Sequence, residues 1–406
     1  MATIIIGGGQ AGLALSRALL QRGHDHVVLE QAAGAGYAWR DQRWDSFTFV
    51  TPNRMSQLPG LESPGDPDGY LARDAIVAYF EQYVTTFELP VRFGVRVTAV
   101  EQAADGYRVT TADGETLTAE NVVVATGMFQ GPKIPPCSAN FPVGIIQLHA
   151  SQYRNPQRLP PGAVLVVGGG QSGCQIAEEL YQNGRRVYLA IGGIGRIPRR
   201  YRGRDGYFWA EKIGMLDRTP AMLPSPQAKF SGNPQLTGAK GGHDLSLHQF
   251  ARDGVTLLGH VLDARGHKLI LASDVQASLA KGDQMTADFV RTVDAYIEKQ
   301  ELDLPTERLP ELRDGYDQPE ILELDLEAAG ITSVIWATGF TFDYSLVQLS
   351  VTDADGFPLQ ERGVTAYPGL YFLGMPYLHK QKSGLLWGVG EDADYLAEHI
   401  VARVGR

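Results

Sequence analysis

Ile4-Ile5-Ile6-Gly7-Gly8-Gly9-Gln10-Ala11-Gly12 and a second copy, Val164-Leu165-Val166-Val167-Gly168-Gly169-Gly170-Gln171-Ser172-Gly173, decide how this chain folds. Each is a short apolar run ending in G-x-G-x-x-G and opening into a helix-like segment. The first glycine permits a tight turn, the second lets backbone approach a pyrophosphate, and the third lets helix and strand pack closely. The phosphates then rest on free N–H groups at the positive end of a helix. One such motif is weak; two, each between a buried strand and an Ala-rich or Ile/Ala-rich helix, predict two dinucleotide sites. Their candidate residues are Gly7, Gly9, Gln10, Ala11 and Gly12 in the first copy and Gly168, Gly170, Gln171, Ser172 and Gly173 in the second.

Outward from the first copy, Gln10–Arg22 reads as the crossover helix and Val27–Glu30 as the next strand. Glu30 lies 23 residues past Gly7, where a carboxylate bonds the ribose of an adenosine without a 2′-phosphate, so the first nucleotide is FAD or NAD. The same offset in the second copy lands on Ile191, and Arg196, Arg199, Arg200, Arg202 and Arg204 follow. A guanidinium fork matches a 2′-phosphate that a carboxylate would repel. The second nucleotide therefore reads as NADPH rather than NADH, the alternative being a solvated basic loop. Spacing does not choose among Arg196, Arg199 and Arg200.

Gly36–Arg40, with Trp39 and Arg40, then Arg43–Phe47 and Thr51–Asn53, interleave aromatic and polar residues. This stretch is an irregular core loop or a wrapper for a flat ring system such as isoalloxazine; the second is favoured. A helix is expected over 74–87 and a β-meander over 91–124, divided by Asp105-Gly106 and Asp113-Gly114. Residues 121–124 then enter Ala125-Thr126-Gly127, a small-residue turn that lets backbone approach a ligand. Ser333–Trp336 enters Ala337-Thr338-Gly339, so the repeat is a fingerprint plus an Ala-Thr-Gly turn, used twice. Between them, His149 in a Pro-rich connector is on local grounds a structural residue. Residues 203–260, with a Pro/Gly-rich run over 220–242, form a long excursion of the kind that covers sites. A helix is expected over 287–299, with Asp294 and Glu298 on a solvated face, and His243, His248, His260 and His267 have no metal-ligand spacing. Gly369–Gly374 reads as a strand that leads through Gly384 and Leu385 into a last helix.

The 406 residues carry a formal charge of −10, which argues against nucleic acid as a partner. No apolar run is long enough to cross a bilayer, and the first apolar run is already the fingerprint strand, without a basic leader region. A cytoplasmic location is therefore expected. The two cysteines, Cys137 and Cys174, are distant and form no C-x-x-C, which disfavours a thiol–disulfide reductase.

With two fingerprints, two Ala-Thr-Gly turns and the terminal Gly-Leu-Tyr-Phe-Leu-Gly strand, the chain resembles the two-dinucleotide-binding-domain flavoproteins over nearly its whole length. Trp39, Trp44-Asp45-Ser46, Thr51-Pro52 and Leu58-Pro59-Gly60 are similar to the class B flavoprotein monooxygenases, near the bacterial flavin-containing-monooxygenase-like proteins. That family's F-x-G-x-x-x-H signature is half kept: His149 and Tyr153 are present, but Val143 and Ile145 hold the Phe and Gly positions. The resemblance implies an α/β fold of two Rossmann-like domains, the NADPH domain inserted in the FAD domain. The expected segments are 1–155 and 336–406 for FAD and 156–335 for NADPH. It implies NADPH- and oxygen-dependent monooxygenation of a small organic substrate through a C4a-(hydro)peroxyflavin. It further implies cofactor contacts from Ala125, Gly127, Gly374, Gly384, Leu385, Ala337, Thr338 and Gly339, with catalytic or positioning roles for Asn53 and His149. The last helix, with Lys382 nearby, is expected to face the flavin and stabilise negative charge. An NADPH-dependent flavin reductase passing electrons elsewhere and a non-catalytic nucleotide-binding sensor are the competing readings. The sequence leaves the substrate and the oligomeric state, including a homodimer, open.

Overall fold

The computed structural model describes residues 1–193, 195–230 and 234–404. Ser231–Asn233, inside the Pro/Gly-rich run, and residues 194, 405 and 406 lie outside the described residues. Two five-stranded parallel sheets organise the chain. In the first the order is Leu370–Phe372, Asn121–Val124, Thr3–Ile6, His26–Glu30, Val91–Phe93. In the second it is Ile146–His149, Ile331–Trp336, Ala163–Val167, Val187–Ala190, Thr256–Leu258. Both have one plan. The fingerprint strand is central, the strand ending in Ala-Thr-Gly lies on one side, and the strand after the fingerprint helix lies on the other.

Central parallel strands are covered on both faces, which explains their unbroken apolar runs. Thr3–Ile6 and Ala163–Val167 are buried throughout. Each Val, Leu or Ile so buried contributes about 1.5–3 kcal/mol. The fingerprint helices, Gln10–Leu20 and Gln171–Gln182, pack small and branched residues against the sheets, among them Ala11, Ala14 and Ala18, and Ile176, Ala177 and Leu180. The last helix, Leu386–Val404, lies against the first fingerprint helix.

Each unit also carries a three-stranded antiparallel meander. In the first unit it comprises Val97–Ala103, Gly106–Thr111 and Thr116–Ala119. It begins later than its alternating pattern suggests, because Val91–Phe93 joins the parallel sheet beside His26–Glu30. In the second unit Val261–Arg265, Lys268–Leu271 and Glu323–Asp325 are the counterpart. Between its last two strands runs the 25-residue helix Val275–Lys299, of which the sequence pattern exposed only the second half.

The chain passes between the units twice, and the passages pair. Gly131–Pro132, just past the first Ala-Thr-Gly, runs antiparallel to Phe340–Thr341, just past the second. Gln130 accepts from the Asp343 N–H and donates to Thr126 Oγ1 and the Gly127 carbonyl. Ile146–His149 hydrogen-bonds in the second sheet, opposite Ser333–Trp336. A division at 155/156 leaves that strand in the segment before its own sheet.

Candidate functional site

The two glycine cradles have matching geometry. Gly7 and Gly168 take φ of +110° and +113°, open to glycine but strained for other residues. A Cβ on Gly7 would stand 2.5 Å from the Ala125 carbonyl oxygen, and one on Gly168 would collide with that of Ala337. The Ala-Thr-Gly turns are thus what the first glycines pack against. A Cβ on Gly12 or Gly173 would strike the carbonyl of Gly7 or Gly168. Gly9 and Gly170 differ: nothing lies within 4 Å of a Cβ built there. Both are helix N-caps of extended backbone without a side-chain cap, so the first-turn N–H groups are left for a ligand. Open space before uncapped helix N-termini fits a pyrophosphate at both places.

Glu30 is buried and accepts from the N–H groups of Gly8 (2.6 Å) and Ala32 (2.8 Å). Each carboxylate oxygen has a further lone pair, so the side chain is held and can still accept from ribose hydroxyls. The C-terminal segment closes the same corner. Gln10 donates through Nε2 to the Gly384 carbonyl at 2.7 Å, and a Cβ on Gly374 would meet Ala11 Cβ at 2.5 Å. Leu385 caps the turn that precedes the last helix.

Trp39 sits on the short helix Tyr37–Arg40, edge-on to Phe49 at 4.8 Å. Trp44, Phe47 and Phe49 are buried core, so Trp39 is the partly open ring of this stretch. Arg40 is turned outward onto Glu81 at 2.6 Å. Arg43 is the residue that sequence reasoning undervalued. It is buried, with its guanidinium over Trp39 (5.2 Å), Phe47 (5.7 Å) and Phe129 (4.9 Å), and burial pulls its pKa down to about 10. The signal was its place amid the aromatics of residues 39–49.

Several expectations are corrected. Asn53 is buried, and its Nδ2 clasps its own loop by donating to the carbonyls of Asp66 (2.7 Å) and Pro64 (3.3 Å), while its Oδ1 has no partner among the described residues. His149 has both ring nitrogens engaged: Nε2 donates to the Gly339 carbonyl at 2.9 Å, and Nδ1 accepts from the Ser151 N–H at 3.2 Å. Burial holds its pKa below the usual histidine value; the Gly339 bond opposes this and Arg43 adds to it. Its ring thus ties down the second Ala-Thr-Gly turn, where Thr338 also bonds the Lys133 carbonyl. Arg199 is buried, with Nη2 donating to both Asp205 oxygens at 2.8 Å and Nη1 to the Val50 carbonyl at 2.7 Å, while its buried Nε has no partner among the described residues, so its charge is held by Asp205. Arg200 reaches the Gly241 carbonyl in a shallow pocket shared with Arg54 and Arg204. Arg202 pairs with Asp294 at 2.8 Å, so Asp294 is an anchor for the excursion and not merely solvated. Arg196 stands 3.4 Å from Asp283. Lys382 is neutralised by Asp217 (3.1 Å) and Glu391 (2.5 Å), which removes it as a free cation beside the last helix.

The excursion reaches the second cradle. Gln235 donates to the Gly169 carbonyl and to Cys174 Sγ, and Leu236 exchanges backbone bonds with the Gln171 side chain. Ser172 lies beside them, half-buried. The units are braced at Glu179, which accepts from Ser46 and Tyr153, both at 2.7 Å.

Two nucleotide cradles on sheets of one plan, coupled just past their Ala-Thr-Gly turns, define an oxidoreductase of the two-dinucleotide-domain type. Residues 4–200 match the pyridine nucleotide-disulphide oxidoreductase family. An oxidoreductase designated CzcO-like from Geobacillus kaustophilus is 33% identical over 401 residues, covering 98% of this chain and 97% of that protein. The indole-3-pyruvate monooxygenase YUCCA1 of Oryza sativa is 32% identical over 190 residues, covering 46% of this chain and 47% of that protein. Among solved structures, a flavin-containing monooxygenase from Stenotrophomonas maltophilia superposes with a TM-score of 0.68 at 23% identity, covering 99% of this chain and 98% of that one. The chain belongs to the CzcO-like oxidoreductases.

Proposed function

We propose that this protein is an NADPH- and oxygen-dependent FAD monooxygenase of a small organic substrate. The observation that carries the reading is the pair of open cradles with unequal ribose corners: Glu30 in the first, Ile191 in the second. FAD fits the first. Its pyrophosphate would lie on Gly7, Gly9, Gln10, Ala11 and Gly12, its ribose at Glu30, and its ring system toward Trp39, Ala125, Gly127, Gly374, Gly384 and Leu385. NADPH would lie on Gly168, Gly170, Gln171, Ser172 and Gly173, with Ala337, Thr338 and Gly339 beyond them.

When bound, the flavin supplies hydride acceptance and oxygen activation; the protein orients both nucleotides and excludes water. His149 holds Gly339 without exchanging a proton of its own, and the buried Arg43 places a positive charge at the junction of the units. A dithiol acceptor is disfavoured. Cys174 is buried behind Gly169 with its thiol pKa pushed up by that burial, and Cys137 is elsewhere. The relatives named as monooxygenases support the same direction.

The test is anaerobic reduction of the FAD-loaded protein by NADPH, then admission of ¹⁸O₂ with a substrate panel. Indole-3-pyruvate, the substrate in the YUCCA1 name, belongs on that panel beside amines and sulfides. One ¹⁸O atom in an organic product is expected. Electrons appearing only as hydrogen peroxide with every compound, together with fast reduction of a quinone or protein acceptor, would replace this reading with that of a flavin reductase.

A further inference from the structure

We infer that Lys281, with His260 and Arg196, forms the pocket that recognises the 2′-phosphate of NADPH; this rests on the proposed identity of the nicotinamide donor. The argument begins with strand register. Val167 pairs with Ala190 as Ile6 pairs with Leu29, so Ile191 occupies the position of Glu30. Ile191 is apolar and buried, and offers no acceptor to a ribose. A 2′-substituent at this corner therefore meets the loop that follows, Gly192-Gly193 and Gly195-Arg196.

Two basic side chains from distant sequence stand over that loop. A Cβ on Gly193 would lie 3.1 Å from Lys281 Nζ, and one on Gly192 would collide with the His260 ring at Nε2. Glycine at both positions is what lets these heads close on the loop backbone. Lys281 is exposed on the helix Val275–Lys299 and has no hydrogen-bond or ion-pair partner among the described residues. His260 follows the strand Thr256–Leu258. Its Nδ1 is held by Asp274, which also accepts from the His260 N–H at 3.0 Å, so the free nitrogen is the one beside Gly192.

The carboxylates nearby are already engaged. Asp274 is on His260, and Asp283 binds Tyr316 at 2.8 Å and His248 at 3.1 Å, with Arg196 at a longer 3.4 Å. That leaves Arg196 partly available, while Arg199 is buried in its ion pair with Asp205 and Arg200 is turned to Gly241. An ammonium, an imidazole nitrogen and a guanidinium around one glycine loop suit a phosphate dianion, where each charge-assisted bond is worth more than a neutral one.

Calorimetric titration of the FAD-loaded protein with adenosine 2′,5′-bisphosphate and with adenosine 5′-monophosphate tests this without turnover. The parent is expected to favour the bisphosphate. Lys281→Ala should cut that preference by about tenfold, as for the loss of one charged hydrogen bond. Lys281→Arg should retain it, His260→Ala should reduce it, and monophosphate binding should stay at the parental value in all three. Arg200→Ala should leave the preference intact. A parent that binds both nucleotides equally would remove the NADPH reading and this pocket with it. A discriminating parent whose preference survives Lys281→Ala would overturn the pocket alone.

Discussion

Replacing the second and third glycines of the first fingerprint by alanine should produce opposite defects. At Gly9, φ is −81° and no atom lies within 4 Å of the new Cβ, so the methyl enters only the open cradle. Alanine is a poorer N-cap than glycine by about 1 kcal/mol. It also restricts the unfolded chain, which returns about 0.4–1 kcal/mol. Gly9→Ala apoprotein should therefore melt within about 3 °C of the parent. The methyl would displace the pyrophosphate from the first-turn N–H groups. Losing two charge-assisted bonds at roughly 1.5–3 kcal/mol each weakens flavin binding by about 10²- to 10⁴-fold. At Gly12 the methyl strikes the Gly7 carbonyl, a backbone atom that cannot swing aside, and overpacking of about 1–3 kcal/mol or more falls on folding itself. Fluorescence titration of each apoprotein with FAD, beside its thermal melt without FAD, separates the two. A Gly9→Ala protein that holds FAD as tightly as the parent, or a Gly12→Ala apoprotein that melts with the parent, would refute the reasoning.

Acidification should destabilise the fold partly through His149. The unfolded chain takes up a proton as pH falls through about 6.5, whereas the buried native ring, whose pKa is lowered, stays neutral to lower pH. Over that window its contribution to stability falls by up to about 1.4 kcal/mol per pH unit, and His149→Gln should flatten the slope in urea denaturation at pH 7 and below. His24 and His26, lowered mainly by burial, should keep a residual slope in the variant. Arg199→Met should destabilise by about 3–5 kcal/mol by leaving Asp205 buried and unpaired, without changing the preference for NADPH over NADH; a changed preference would return Arg199 to the nucleotide site. Cys137→Ser combined with Cys174→Ala should retain the rate of anaerobic flavin reduction by NADPH, since neither thiol carries electrons. A large loss of rate would revive a thiol mechanism.

Much of the fold was legible because its determinants are local. A turn that requires positive φ, an apolar strand before it and small residues in the helix after it sit within about ten residues of Gly7 and Gly168. Glu30 was legible for the same reason, since one βαβ unit sets its spacing. The helix Val275–Lys299 was visible only in part, because its first half buries a narrow stripe, Val275, Ser278 and Leu279, amid polar residues. Val91–Phe93 alternates like a meander strand yet pairs in parallel with His26–Glu30, a choice made by the sheet edge and not by its own pattern.

The candidate arginines mark the boundary. From the sequence alone, two glycine cradles follow, as do the carboxylate at the end of the strand after the first and its absence after the second, because each is encoded by residues a fixed number of steps along a single strand–helix–strand unit. Tertiary structure alone decided which charges reach those corners. Arg199 is drawn into a buried pair with Asp205, Lys382 is neutralised by Asp217 and Glu391, and Lys281 arrives over Gly193 from a helix some ninety residues on. A side chain's charge is written in the sequence; whether that charge is spent on a neighbour or left for a ligand depends on what the fold brings within about 4 Å of it.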